Sequence, residues 1–76
     1  MSPGYLVKIR DDLHLGDELR NPQHPHMYCH PRRQVNRDHR MILISLLSSD
    51  DNDDALVLTN HGLLGWINVH KLEKCV

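Results

Sequence analysis

The densest chemistry in the chain lies in His24-Pro25-His26-Met27-Tyr28-Cys29-His30. Neutral imidazole and thiolate are good zinc ligands, and a small domain without Phe has reason to use a metal staple. The spacing H-x-H-x2-C-H matches no usual zinc layout, and adjacent Cys29 and His30 point apart in most backbone conformations. His39, His61, His70 or Cys75 would have to complete the ligand set. The same Cys29-His30 pair raises nucleophilic catalysis, which needs a base beside the thiol in space and a third group to orient it. Nothing in the sequence indicates that third group. No enzyme, catalytic residue, metal ligand or cofactor is therefore expected, and a small zinc-binding structural domain stands as an alternative.

Arg32, Arg33, Arg37 and Arg40 form a basic patch, with Tyr28 as a stacking surface nearby. The wider 20–40 stretch adds Arg20 and four His against one acid, Asp38. Guanidinium forks match both phosphate and carboxylate oxygens in pairs, so the patch suits a nucleic acid or an acidic protein surface. The whole chain, however, carries nine Lys+Arg against ten Asp+Glu and a formal charge of −1, which argues against a general polyanion binder. A protein partner is the leading expectation and nucleic-acid binding by the same arginines the alternative. Asp50-Asp51-Asn52-Asp53-Asp54 suggests calcium at first sight. An EF-hand loop starting at Asp50 would need Gly at its sixth position and Glu at its twelfth, where Ala55 and His61 stand, so the stretch reads as a solvated acidic turn. Trp66 either caps one end of the fold or stands at a contact surface.

These side chains need a scaffold, and 76 residues allow one domain, 1–76. That length excludes doubly wound α/β enzymes and barrels with cofactor clefts. Tyr5, Val7 and Ile9 alternate with Lys8 and Arg10, the period of a half-buried strand. Leu13, Leu15 and Leu19 surround a Gly16-Asp17 turn, and residues 20–40, with three of the four prolines, form a long polar loop. Met41 to Leu47 is a continuous apolar run of strand length. Ala55–Thr59 and Leu63–Ile67 are hairpin partners around Asn60-His61-Gly62, and Asn68–Leu72 suits a single 3₁₀ turn before the last short strand. Four or five short strands without a long helix predict a small all-β barrel. No apolar run approaches the ~18 residues of a membrane span, the start lacks the layout of a secretory signal, and two cysteines suit a reducing compartment. A cytoplasmic setting is the expectation.

The order of these pieces resembles a known family. Leu13-His14-Leu15-Gly16-Asp17-Glu18-Leu19 is similar to the diverging turn of SH3-like β-barrels, and Pro3-Gly4-Tyr5-Leu6-Val7 to the first strand of their small bacterial and bacteriophage members. Ala55 to Glu73, through the Asn60-His61-Gly62 turn, Gly65-Trp66-Ile67 and Leu72-Glu73, resembles their C-terminal half. The likeness spans 3–19 and 55–73 and leaves the basic 20–40 insertion outside it. It implies a module that docks on a larger host or virion protein. Proline-peptide recognition is not implied: Asn68 and Lys71 occupy positions where peptide-binding members carry Pro and Tyr, and Tyr5, Tyr28 and Trp66 are the only aromatics of the Phe, Tyr and Trp class. A small core with a long polar excursion also predicts a larger protein partner, a homo-oligomer, or hidden order in 20–40. The contact residues expected are Arg32, Arg33, Arg37, Arg40, Tyr28 and Trp66.

Overall fold

The computed structural model describes residues 1–48 and 53–75, and among them every regular element is a strand except one 3₁₀ turn. The strands are β1 (Leu6–Ile9), β2 (Asp17–Glu18), β3 (Gln34–Val35), β4 (Met41–Ser48), β5 (Asp53–Thr59), β6 (Leu64–Asn68) and β7 (Leu72–Lys74), with the 3₁₀ turn at Val69–Lys71. Five of them form one antiparallel sheet in the order β6-β5-β4-β1-β7, and β2 pairs with β3 as a separate ribbon. This is the small all-β, barrel-like architecture expected from the strand and turn signals.

Period-two alternation sets the inner face. Val7, Ile9, Met41, Leu43, Ala55, Val57, Ile67 and Leu72 are buried from the main sheet, and Leu19, Cys29 and Val35 close the core from the other side. The β5–β6 hairpin turns where the sequence places it, with Gly62 at φ +83°. Buried Thr59 secures the turn, its Oγ1 accepting the N–H groups of His61 (3.2 Å) and Leu63 (3.0 Å).

Residues 20–40 carry the hidden order that was one of the expected alternatives: they contribute β3 and two core residues, Cys29 and Val35. One expectation is revised. Asp54 belongs to β5 and is buried, although it reads as part of a solvated turn; residues 49–52 lie outside the described residues. The continuous apolar run of β4 is a strand, as expected, and is covered on one face only. Met41 and Leu43 face the core, while Ile42, Ile44, Leu46 and Leu47 are exposed. A bulge between Leu43 and Ser45 opposes two β4 residues to Leu56. Leu15, placed beside the Gly16 turn, is almost wholly exposed.

Lys8 projects from β1 opposite Glu73 of β7, and its ammonium pairs with Asp11 (3.2 Å) and Glu73 (3.4 Å). Its stem is covered and its charge is in solvent. The hydrogen bond to Asp11 raises its pKa above 10.5, partial desolvation opposes that, and the charges of Asp11 and Glu73 add to the rise. A folded value above the unfolded one stabilises fully at pH below 10.5 and ceases to do so as pH rises through the folded value. The stability difference between wild type and Lys8→Met, read from urea melts, is expected to be flat from neutral pH and to shrink only in the alkaline range. A difference that grows with alkalinity contradicts the assignment.

Candidate functional site

The Tyr28 region is built on Arg20. Its backbone bonds Trp66 of β6 in both directions, each N–H donating to the other's carbonyl at 2.9 Å. On its other side Arg20 lies opposite Tyr28, flanked by Asn21 N–H to Met27 C=O (2.6 Å) and Cys29 N–H to Leu19 C=O (3.4 Å). Residues 19–21 thus form a rung between β6 and 27–29. The prolines and Asn21 turn the chain between: Asn21 C=O accepts from His24 N–H (3.0 Å), and Asn21 Oδ1 accepts from Gln23 N–H (2.8 Å). Two side chains pin this lobe. The Trp66 indole N–H donates to Pro22 C=O at 2.9 Å, and the Arg20 guanidinium reaches Asp54 (2.5 Å) and Pro25 C=O (3.0 Å).

An open groove of about 550 Å³ lies against the lobe, lined by Asp17, Glu18, His26, Met27, Tyr28, Cys29, His30 and Arg32. Tyr28 is 54% exposed and Met27 equally open. Arg32 has a side chain 77% exposed and stands 3.5 Å from Glu18. Leu19 N–H donates to Arg33 C=O (2.8 Å), and β2–β3 pairing follows, so both sides of the groove are held by backbone bonds.

The six residues singled out from the sequence do not form one patch. Tyr28 and Arg32 share the groove. Arg37 and Arg40 lie in a separate depression with Lys8, Asp11, His14 and Asp38. Their guanidinium groups donate to main-chain carbonyls, Arg37 to Asp11 (3.0 Å) and Arg40 to Arg37 (2.8 Å). Arg33 is half-buried and approaches Leu64 C=O at 3.5 Å. Trp66, half-buried, anchors the lobe through its indole N–H. Cys29 enters the core while His24, His26 and His30 are exposed, and among the described residues no three His, Cys, Asp or Glu side chains are disposed to hold a metal ion.

No family model, no curated protein and no solved structure matches this chain. What the site can do therefore rests on its own geometry. Among the described residues no helix is long and apolar enough to cross a membrane. Sequence reasoning missed Met27 as a surface residue and Asp54 as the partner of Arg20. The Met27 signal was present, since a Met beside Tyr28 in a proline-punctuated stretch has little core to enter. Asp54 had none, because its partner lies 34 residues away.

Proposed function

We propose that this chain is a non-enzymatic protein-interaction module that docks on a larger protein through the Tyr28 groove. The observation that carries the reading is that Met27, Tyr28 and Arg32 are exposed together on a lobe pinned by Trp66 and the Arg20–Asp54 pair. Tyr, Met and Arg are the residue types enriched at interfaces, and a rigid platform loses little entropy on binding. The partner segment that fits is one with an apolar side chain for Tyr28 and Met27 beside a carboxylate for Arg32. A nucleic acid fits less well, because Asp17 and Glu18 line the same groove and Arg37 and Arg40 lie apart from it. The SH3-like reading belongs to this proposal, and with it a bacterial or bacteriophage setting and a host or virion protein as partner. Its support is the succession of a tight hairpin, a 3₁₀ turn and a closing strand that returns beside β1.

The test is affinity capture from lysate of the source cells, comparing wild type with Tyr28→Ala/Arg32→Glu and with Arg37→Ala. A specific partner lost at least about tenfold by the double variant and kept by Arg37→Ala is expected. Equal capture by all three, or retention of nucleic acid instead of protein that weakens steeply with salt, overturns the proposal.

A further inference from the structure

The short segment between β3 and β4 holds a pair of charges that the Tyr28 groove does not use. Asn36 to His39 form a tight turn. His39 N–H donates to Asn36 C=O (3.1 Å), Asp38 N–H to Asn36 Oδ1 (2.9 Å), and Asn36 N–H to His39 Nδ1 (3.1 Å). Asn suits the first position because its side chain closes on the backbone two residues on. Arg40 follows and is tied to the β5–β6 hairpin, its C=O accepting Asn60 N–H at 2.8 Å. The turn brings Arg37 and Arg40 to one open depression of about 460 Å³, which Lys8, Asp11 and Asp38 also line.

The two guanidinium groups are held without being used up. Arg37 donates through one terminal nitrogen to Asp11 C=O (3.0 Å), and Arg40 through one to Arg37 C=O (2.8 Å) and His39 C=O (3.4 Å). Among the described residues, the Nε and second terminal nitrogen of each have no partner. Other surface cations have their charge answered: Arg10 by Asp12, Arg32 by Glu18, Lys71 by Asp17. Within the depression the Lys8 ammonium is taken by Asp11 and Glu73. Asp38 forms an ion pair with neither arginine, so two exposed guanidinium forks remain open beside one carboxylate.

We infer that this depression is a site for a single phosphate group, either free phosphate or the end of a small phosphate monoester. A guanidinium fork presents paired N–H donors that match phosphate oxygens, and two forks answer a dianion. Each fork has one nitrogen already pinned to a main-chain carbonyl, so less side-chain freedom is lost when the ligand arrives. A nucleic-acid backbone is a poorer match, because it needs a track of cations and here Asp38 stands in the depression itself. The same carboxylate weakens the site for a phosphate dianion, which makes its removal informative. The site shares no lining residue with the Tyr28 groove, and neither assignment depends on the other.

The test is an NMR titration of the isotope-labelled full chain with inorganic phosphate and, separately, phenyl phosphate, at constant ionic strength and about pH 7.5, where both are largely dianions. Saturable shifts confined to Asp11, residues 36–40 and the Arg37 and Arg40 Nε–H groups are expected, with a Kd on the order of 1 mM. Arg37→Gln and Arg40→Gln should each weaken binding about fivefold or more, and Arg40→Lys about threefold, because the charge stays and the fork is lost. Asp38→Asn should tighten it about threefold. Lys74→Gln removes the same charge outside the depression, where Lys74 lies over the Tyr5 ring, and should leave the Kd unchanged. Tighter binding of phenyl phosphate assigns the site to an ester and equal binding to the free ion; both support it. Shifts that never saturate, or that spread equally over Arg10, Arg32 and Lys74, show only a diffuse ion atmosphere and overturn the inference. So do an Asp38→Asn variant no tighter than wild type, a Lys74→Gln loss equal to that of Arg37→Gln, and equal binding of an oligonucleotide without terminal phosphates.

Discussion

Replacing Gly16 by Ala is expected to lower the unfolding free energy by about 3 kcal/mol or more, the largest loss expected among the chain's Gly→Ala substitutions. Gly16 has φ +71°, a conformation that costs an L-residue about 1–2 kcal/mol. Lack of space costs more. A Cβ at this position would lie 2.1 Å from the carbonyl oxygen of Val35 and 3.1 Å from the Asn36 Cα. Those atoms belong to the backbone of β3 and its exit, which pairs with β2 starting at the next residue. No side chain can rotate aside, so β2 and β3 must separate, drawing Leu19 and Val35 out of the core. For a domain of this size about 3 kcal/mol corresponds to a fall of roughly 12–24 °C in melting temperature. Gly62→Ala is the control. Gly62 has φ +83° but no heavy atom within 4 Å of an added Cβ, so the substitution should cost only the backbone strain of about 1–2 kcal/mol. Equal losses for the two variants would show that the β2–β3 approach is not tight.

Gly16 also shows what was legible in the sequence. A Gly-Asp pair among leucines announces a turn, because turn chemistry is local. For the same reason the hairpin at Asn60-His61-Gly62 and the strand pattern of β1 could be read directly. The need for Gly at 16, however, comes from Val35, nineteen residues on, and no local pattern carries it. The 20–40 segment was opaque for a related reason. Its composition is polar, and its order rests on a few pegs, Cys29 and Val35 in the core and Trp66 N–H on Pro22, each joining residues far apart in sequence. The candidate site was legible by residue type, with Tyr28 and Arg32 meeting at the groove. Its extent was not, because charge clustering in sequence does not fix which way alternate side chains point. Arg33 turns toward Leu64, and Arg37 and Arg40 toward main-chain carbonyls. The run in β4 announced a strand by its length, but its continuity did not say which positions are covered: with a bulge and only one covered face, half of an apolar strand remains outside.

Asp54→Ala is expected to destabilise the fold by about 2–3 kcal/mol and to loosen the lobe that carries Tyr28. Distance alone would not predict this. Arg10 and Asp12 are as close, 2.6 Å, but their side chains are 44% and 62% exposed, and removing that pair should change stability by less than about 0.5 kcal/mol. Arg20 and Asp54, at 2.5 Å, are 21% and 13% exposed. Water cannot easily replace the carboxylate there, so the variant leaves a half-buried guanidinium whose remaining polar contact among the described residues is Pro25 C=O. Full burial would place the cost at about 3–5 kcal/mol, and the residual exposure reduces it. The consequence for the site follows from connectivity. Arg20 joins β6 to 27–29 through its backbone and ties β5 to the lobe through its side chain. Trp66, the single Trp of the chain, touches the same lobe at Pro22 and reports its detachment as a red shift of fluorescence. In a double-mutant cycle, Arg20→Met/Asp54→Leu should recover part of what Asp54→Ala loses, because neither charge is then left alone. Independent, additive losses with unchanged Trp66 emission would mean that the lobe is held by its backbone ladder alone, and Tyr28 would keep its position without the ion pair.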